Sequence, residues 1–243
     1  MQEYATLCGA ALADLFTPPL YWSDIFTQMD SIGVGSMPII LLTGFFTGCV
    51  LALQSVTALK QFGAVSMTGT LVALSMVKEL GPVLTGLMVS GRNAAGMASE
   101  LGSMKVTEQL DAMRALGTDP IRKLVTPRLA ATVFMLFFLT IIADAVGIAG
   151  GALVATNLLG LNATMYLHTS YQSLKYGDVV QGLVKPLFSG FIIATVGCYF
   201  GMKTTGGTQG VGKATTQAVV YSSVSIIVVD FLVSRVMIGI FGR

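Results

Sequence analysis

The sequence predicts an all-α, polytopic membrane protein with about five transmembrane helices, and three observations carry that prediction. The chain is 53% hydrophobic and only 11% charged, with a mean hydropathy of +0.77, which lies outside the usual composition of soluble domains. Several stretches reach the roughly 20 mostly apolar residues that a helix needs to cross a bilayer. Finally, the pairs Gly44 with Gly48 and Gly147 with Gly151 have the spacing of small residues at which transmembrane helices approach closely.

The N-terminal residues are predicted to form amphipathic helices that are too polar to span. Apolar residues recur at helical spacing from Tyr4 to Phe16, and the pair Pro18 and Pro19 ends this first helix. A second short apolar stripe occupies residues 21–29 and contains Tyr and Trp, which favour the membrane interface. Residues 1–30 are therefore predicted to be an interfacial amphipathic segment, and 31–243 the transmembrane domain. The alternative is a helix packed against a soluble partner.

The transmembrane domain is predicted to contain five spans. The second one is unusual because Lys78 and Glu79 lie near its middle and Gly81 with Pro82 interrupts its hydrogen-bond ladder. A polar segment, 92–128, separates it from the third. The predicted spans cover about 34–59, 66–89, 129–154, 180–202 and 216–240.

Lysine and arginine counts in the short loops predict the orientation. The segment 92–128 contains six of these residues, and the loop after the fourth span contains Lys203 and Lys213. Both loops are therefore assigned to the cytoplasmic side. The opposite side carries Lys60, Lys175 and Arg243. An odd number of spans then places the N-terminus inside and the C-terminus outside.

Ionisable residues inside the spans are candidates for function, because each costs at least a few kcal/mol in hydrocarbon. Such residues usually face a cavity or one another. Adjacent Lys78 and Glu79 point to different helix faces and are not expected to pair with each other. Two interpretations remain open, a functional network at a hydrated cavity and a fixed ion pair that only positions helices. The candidates are Lys78 with Glu79, Asp144, Lys185 and Asp230.

The polar segment from Arg92 to Pro120 is predicted to form a cytoplasmic helical hairpin. Asp111 and Arg114 have the spacing of a helical ion pair, and Gly117 is a helix stop signal. A helix with one apolar stripe outside the membrane needs a surface to pack against, which is either a partner protein or its own chain. The stripe consists of Val106, Leu110 and Met113.

Long ungapped motifs give the chain a specific resemblance. It resembles the MlaE (YrbE) family of ABC permeases from about residue 34 to the end. The motifs are VALSMVKELGPV at Val72–Val83, GRNAAGMASELGSMKVTEQLDAM at Gly91–Met113, TDP at Thr118–Pro120, PRLAA at Pro127–Ala131 and KATTQAVVYSS at Lys213–Ser223.

The resemblance implies a homodimeric permease, without catalytic residues of its own, in a bacterial inner membrane. It implies transport of glycerophospholipids between the inner and outer membranes, which bears on outer-membrane asymmetry. The implied partners are a cytoplasmic MlaF-like ATPase that holds ATP and Mg²⁺, a small MlaB-like STAS-domain protein and an MlaD-like hexamer of MCE domains. No cofactor is implied for this chain itself.

The resemblance also implies roles for individual residues. By position, the charges expected in the lipid path or its gate are Glu79, Lys185 and Asp230. The residues expected to line a cavity between two copies are Leu51, Gln54, Leu59, Phe62 and Leu80. The hairpin residues expected at or near the ATPase are Arg92, Glu100, Glu108, Asp111 and Arg114.

Several other classes of site are disfavoured by the sequence. The net charge is only +2 and no basic run interleaved with aromatics occurs, which argues against nucleic-acid binding. The segment GTQGVGKAT at 207–215 nearly matches a P-loop, but Ala214 stands where a magnesium-binding hydroxyl is needed. It is predicted to be a flexible cytoplasmic turn. His168 is the only histidine and the three cysteines are far apart, so no metal site is predicted.

Two competing functions remain. An ion-coupled secondary transporter could use Glu79 or Asp230 as a proton relay, although no internal repeat is detectable. An integral-membrane lipid enzyme would need a metal cluster or an activated nucleophile, and the sequence offers neither.

Overall fold

The structure is a computed structural model that describes residues 2–18 and 21–241. These residues are mostly helical and contain no strand. In chain order the α-helices are α1 (Gln2–Leu15), α2 (Trp22–Lys60), α3 (Thr68–Ser75), α4 (Gly81–Val89), α5 (Ala95–Val106), α6 (Gln109–Ala115), α7 (Thr126–Asn157), α8 (Ala163–Ser173), α9 (Tyr176–Met202) and α10 (Gly207–Phe241).

Within the described residues, five helical stretches are long and apolar enough to cross a membrane. This confirms the predicted polytopic all-α fold with a preceding N-terminal helix. All five stretches extend beyond the predicted spans, since helices continue past the apolar stretch that crosses hydrocarbon. They are Trp22–Lys60, Val65–Val106, Ile121–Asn157, Tyr176–Met202 and Gly207–Ile240.

The second stretch contains the predicted irregularity in the form of a widened turn. A π-helical segment, Met76–Leu80, joins α3 to α4, and the Gly81 amide donates to the carbonyl of Met76, five residues back. Pro82 follows and has no amide hydrogen, so the regular ladder cannot continue through it. The chain therefore stays helical through the proline but shifts its hydrogen-bond register.

The predicted hairpin begins inside this same helical stretch rather than after a loop. A second π-helical segment, Ser90–Ala94, leads directly into α5. Glu108 then adopts a left-handed conformation, with φ of 60°, and reverses the chain into α6. Gly117, with φ of 78°, ends the hairpin as the sequence predicts.

The N-terminal segment differs from its prediction in one respect. Helix α1 ends at Leu15, but α2 runs from Trp22 to Lys60 through Asp30, so no break separates the second amphipathic stripe from the first span. The uncharged turns after Asp30 continue the helix without a stop signal. The break predicted at Pro18 and Pro19 is observed at Pro18, which lies in a bend, whereas Pro19 is outside the described residues.

The prediction that residues 207–215 form a flexible turn is wrong. Gly206 and Gly207 have positive φ angles of 87° and 68°, and α10 starts at Gly207, so the segment forms the first turns of this helix. The glycines that suggested a loop are needed only at the sharp entry to the helix.

The chain divides into two compact units, each with its own apolar core. The first unit contains the described residues up to Ser36, Gly86–Leu136 and Leu187–Val229. The second contains Met37–Thr85, Phe137–Pro186 and the described residues from Asp230. Buried members of the first core include Leu7, Leu101, Leu129 and Cys198, and those of the second include Ala52, Val72, Met76 and Tyr166.

In the second unit, α2 and α7 approach closely at the predicted small residues. A Cβ atom added to Gly48 would overlap the carbonyl oxygen of Gly147, and one added to Gly151 would lie 3.2 Å from the carbonyl oxygen of Gly48. The absence of side chains at these positions lets the two backbones touch.

Candidate functional site

Three of the predicted intramembrane charges meet in the second unit. The Nζ atom of Lys185 on α9 lies 2.5 Å from Oε2 of Glu79 and 3.1 Å from Oδ1 of Asp230. Glu79 belongs to the π-helical segment, and Asp230 lies on α10. We call these three residues the charge cluster.

The helix break explains why a lysine is held at this point. Pro82 cannot donate the α-helical hydrogen bond to the carbonyl of Lys78, and the Nζ atom of Lys185 donates to that carbonyl at 2.7 Å instead. Three oxygen atoms thus surround a side chain that carries three N–H donors. The side chain of Lys185 is only 1% exposed, so this matching satisfies a group that would otherwise be costly to bury.

Two polar residues that the sequence did not single out complete the cluster. Gln181 donates to Oε1 of Glu79 at 3.3 Å, and Ser234 donates to the same oxygen at 3.2 Å. Each lies one helical turn from a cluster residue, Gln181 before Lys185 and Ser234 after Asp230. A search for polar residues four positions from each intramembrane charge would have found both.

A cavity of about 420 Å³ lies beside the charge cluster. Its wall combines charged and polar groups with apolar side chains, and the Glu79 side chain is 46% exposed whereas that of Asp230 is 14% exposed. Such a surface suits a molecule with a polar head and an apolar body. The lining residues are Glu79, Asp230, Phe231, Ser234, Arg235 and Ile238.

Lys78 has a partner of its own, as the helix geometry predicts. Its Nζ atom lies 2.8 Å from Oδ1 of Asp178 in the first turn of α9, while the neighbouring Glu79 faces Lys185. Asp178 was not a predicted site residue. Its position near a helix N-terminus, where carboxylates are favoured, is the signal that could have identified it.

Asp144 on α7 does not join the charge cluster. It is 8% exposed, its Oδ1 atom has no hydrogen-bond partner among the described residues, and it takes part in none of their ion pairs. This oxygen lies against Gly81, where any added Cβ atom would overlap it. A lone carboxyl thus packs directly against the backbone of the helix break.

The five predicted cavity-lining residues occupy different environments. Leu51 and Leu80 pack against the core of the second unit, and Leu51 also borders an apolar depression of about 300 Å³. Phe62 is 81% exposed, Gln54 is exposed and Leu59 is half-buried. The cavity expected between two copies stays a prediction.

The hairpin packs on its own unit and leaves apolar surface uncovered. Leu110 of the predicted stripe is buried and Met113 is half-buried, but Val106 is exposed and Leu116, in the turn after α6, is 84% exposed. One side of the hairpin is therefore folded on its own protein, and the other side leaves apolar side chains exposed. That a partner protein docks on this exposed side stays a prediction.

The predicted coupling charges fall into two groups. Asp111 pairs with Lys105 at 2.8 Å and with Arg114 at 3.3 Å, and the hydrogen bond from Lys105 lowers the pKa of Asp111. Glu108 is exposed at the turn between α5 and α6. These three residues lie on the exposed part of the hairpin.

Arg92 and Glu100 are instead engaged within the first unit. Glu100 lies 2.8 Å from Nη2 of Arg128, whose side chain is 3% exposed. Arg92 donates to the carbonyl of Ser31 at 2.9 Å and to the hydroxyl of Ser36 at 3.0 Å. Both contacts hold the base of the hairpin against neighbouring helices.

Comparison with known proteins identifies relatives over nearly the whole chain. The family model described as permease MlaE matches residues 25–236. A probable ABC transporter permease protein of Rickettsia typhi is 44% identical over 234 residues, which cover 96% of this chain and 90% of the relative.

Two relatives carry more specific names. The intermembrane phospholipid transport system permease protein MlaE of Haemophilus influenzae is 36% identical over 213 residues, which cover 87% of this chain and 82% of the relative. The chloroplastic protein TRIGALACTOSYLDIACYLGLYCEROL 1 of Arabidopsis thaliana is 36% identical over 228 residues, which cover 94% of this chain and 65% of the relative.

Proposed function

Because the chain belongs to the MlaE permease family, we propose that it is the membrane-spanning subunit of an ABC-type transporter that moves glycerophospholipids between the inner and outer membranes of a bacterium. The observation that carries this proposal is the match of the family model to residues 25–236, which include the charge cluster and the whole hairpin. The name of the Haemophilus influenzae relative supports phospholipid as the substrate class.

The cavity beside the charge cluster supports a lipid path. A phospholipid has a charged head and apolar chains, and Glu79 and Arg235 stand at this cavity beside Phe231 and Ile238. A partly exposed Glu79 can exchange its contact with Lys185 for water or a headgroup without the full cost of stranding a buried charge. We assign the cluster a role in passing or gating the headgroup.

The exposed side of the hairpin supports coupling to an ATPase. Leu116 is an uncovered apolar side chain at the end of the hairpin that also carries the exposed charges Glu108, Asp111 and Arg114. An interface with a polar rim has this composition. In this proposal an MlaF-like ATPase binds ATP and Mg²⁺ and docks here. An MlaB-like protein and an MlaD-like MCE hexamer complete the complex around a homodimer of this chain.

The same scheme sets the location and orientation. We propose, on the basis of the six basic residues in 92–128, that the hairpin lies in the cytoplasm of a bacterium and that the chain lies in the inner membrane with its N-terminus inside and its C-terminus in the periplasm. The chain contributes no catalytic group, because hydrolysis occurs on the ATPase.

Purification and reconstitution of the tagged chain test this function. We expect an ABC ATPase and an MCE protein to co-purify in mild detergent, and lipid transfer between vesicles to require ATP. Transfer that runs without an ATPase and follows a proton gradient would identify an ion-coupled secondary transporter instead.

Reversal of Glu108 to Arg tests the docking surface. We expect association with the ATPase to weaken about tenfold, because like charges would face each other across the interface. Lys60→Arg, which keeps the charge of an exposed residue outside the hairpin, is the control. Unchanged affinity and unchanged lipid-stimulated hydrolysis would show that Glu108 does not touch the ATPase.

A further inference from the structure

The cavity beside the charge cluster contains an arginine that does not belong to the cluster. Arg235 lines this cavity together with Glu79 and Asp230. It is exposed and takes part in none of the ion pairs between described residues. An ionisable residue within a span is costly and usually faces a cavity or another polar group. Arg235 is therefore a candidate for binding a ligand in this cavity.

One side of α10 supplies most of the wall of this cavity. Four lining residues are spaced i, i+3, i+4 and i+7 along the helix, which places them on the same side. The middle two, Ser234 and Arg235, are polar. The outer two, Phe231 and Ile238, are apolar and exposed. This side of the helix therefore presents a guanidinium group with apolar surface above and below it, which suits a phosphate that is attached to hydrocarbon chains.

The formal charges around the cavity are balanced but separated. The charge cluster contains the carboxylates of Glu79 and Asp230 and the ammonium group of Lys185, so it carries one net negative charge. Arg235 carries one positive charge. It lies about 7.5 Å further along the axis of α10 than Asp230, since each residue of an α-helix adds about 1.5 Å. The described wall of the cavity is therefore negative at the charge cluster and positive at Arg235.

Glu79 is the carboxylate of this negative end that a ligand can reach. Its side chain is partly exposed, whereas that of Asp230 is mostly buried. The adjacent Lys78 is paired with Asp178 and does not line the cavity, so it does not neutralise Glu79 from the cavity side. A cationic group of a ligand can therefore approach Glu79 while an anionic group of the same ligand contacts Arg235.

We propose that this cavity selects phospholipids whose headgroup carries a primary ammonium group beside its phosphate, with Arg235 binding the phosphate and Glu79 binding the ammonium. The planar guanidinium group can donate two parallel hydrogen bonds to phosphate oxygens. An ethanolamine headgroup supplies the ammonium, whereas a glycerol headgroup leaves Glu79 without a cation. The selection rests on the proposed function, which supplies phospholipid as the substrate class.

The proposed homodimer bears on this surface, because a second copy can approach α10. Leu80, the neighbour of Glu79 in the chain, is one of the residues expected to line a cavity between two copies, so that cavity is expected to include the wall described here. Pairing of Arg235 with an acidic residue of the second copy is the competing explanation for its exposure. The test therefore measures the dimer together with the bound lipid.

Native mass spectrometry of the full chain in mild detergent, without ATP or other proteins, tests this selection. The probes are phosphatidylethanolamine and phosphatidylglycerol with identical acyl chains, and phosphoethanolamine as the soluble headgroup. We expect phosphatidylethanolamine to bind about threefold more tightly than phosphatidylglycerol, which is the size of a partly exposed ion pair. Arg235→Gln should weaken the binding of both lipids about tenfold, because both present a phosphate that loses a charge-assisted hydrogen bond.

Two further variants and a control separate the contacts. Glu79→Gln should abolish the preference for phosphatidylethanolamine and change the binding of phosphatidylglycerol by less than about twofold, since the latter has no ammonium group to lose. Arg235→Lys keeps the charge but not the planar guanidinium group, so both lipids should bind with intermediate affinity. Lys60→Gln, which removes an exposed lysine outside the cavity and on the same predicted side of the membrane, should leave the binding of both lipids unchanged.

Equal affinity for the two lipids, or equal losses from Arg235→Gln and Lys60→Gln, would overturn the proposal. Displacement of the lipid by phosphoethanolamine at equal concentration would overturn it by showing a soluble headgroup compound as the ligand. Loss of the dimer in Arg235→Gln would show that Arg235 pairs with the second copy instead. A chain that binds lipid as expected but does not transfer it with ATP would contradict only the proposed function. A chain that transfers lipid with a binding preference independent of Arg235 would contradict only this inference.

Discussion

The charge cluster and Asp144 are two ways in which the second unit buries ionisable side chains. Lys185 is surrounded by three oxygen atoms, one of them a carbonyl that Pro82 leaves without its helical donor. Asp144 has a similar depth of burial, but its Oδ1 atom touches the Gly81 backbone and no cation. Both groups contact the same helix break, Lys185 at the Lys78 carbonyl and Asp144 at Gly81.

The difference shows what each group does to the helix break. Lys185 supplies hydrogen bonds that the break lacks, so its loss exposes several unsatisfied groups at once. Asp144 supplies volume next to a residue without a side chain, so its loss exposes a space but no charge. Removal of the buried Lys185 charge should therefore be severe and removal of the Asp144 charge mild, and the following variants test this contrast in order of expected size.

Lys185→Met should have the largest effect. It leaves the mostly buried Asp230, the carboxylate of Glu79 and the carbonyl of Lys78 without their shared donor, which corresponds to about 3–5 kcal/mol for a broken buried pair. We expect membrane abundance and thermal stability in detergent to fall. The double variant Lys185→Met with Asp230→Asn should recover part of the loss, and the absence of any recovery would argue against pairing between these two residues.

Gly81→Ala should be the next most damaging change. The new methyl group would overlap the Asp144 carboxyl, and overpacking of a close contact costs about 1–3 kcal/mol. Thermal unfolding in detergent measures the loss. Combining Gly81→Ala with Asp144→Ala removes the overlapping atoms and should restore stability. Gly96→Ala is the control, because a Cβ atom added to this helical glycine has nothing within 4 Å. A double variant as unstable as Gly81→Ala alone would show that backbone conformation, not this contact, requires the glycine.

Glu79→Gln should leave the protein assembled but impair transport. Its side chain is 46% exposed, so water can replace the lost contact with Lys185, while the charge that we propose acts on the headgroup disappears. We expect membrane abundance and ATPase co-purification within about twofold of the unmodified chain, and ATP-dependent lipid transfer reduced about tenfold, which corresponds to 1.4 kcal/mol. Glu79→Asp should retain more transfer than Glu79→Gln. Loss of abundance together with transfer would support a purely structural role for the cluster.

Asp144→Asn should have the smallest effect. The amide nearly preserves the size and shape of the side chain, and no cation loses its partner, so stability should change by less than about 1 kcal/mol. Melting temperature in detergent, with Asp230→Asn as the paired comparison, checks this. A loss of stability as large as that of Asp230→Asn would show that Asp144 has a stabilising partner and is not a lone carboxyl.

Most of the architecture could be predicted because it follows from composition and local periodicity. Each of these features depends on about twenty consecutive residues or fewer: the apolar stretches, the irregular second span and the helix stop at Gly117. The start of α10 was missed because glycines are typical both of loops and of a sharp helix entry. The continuity of α2 through Asp30 was missed because a single charge does not end a helix.

The partners within the candidate site depended on tertiary structure. From the sequence alone, Glu79, Lys185 and Asp230 were three charges of complementary sign, separated by about a hundred and about fifty residues. These positions in the sequence do not predict that Lys185 also donates to the Lys78 carbonyl, or that Gln181 and Ser234 donate to Glu79. They also do not predict that Asp144 lies apart from the charge cluster. The sequence by itself determined which residues are apolar enough to enter a membrane, where helices break and which charges must find partners, because these depend on short-range chemistry. Only the packing of distant helices decided which partners they find, since that choice depends on the rotation of each helix about its axis and on the few positions, such as Gly81, where backbones come close enough to touch.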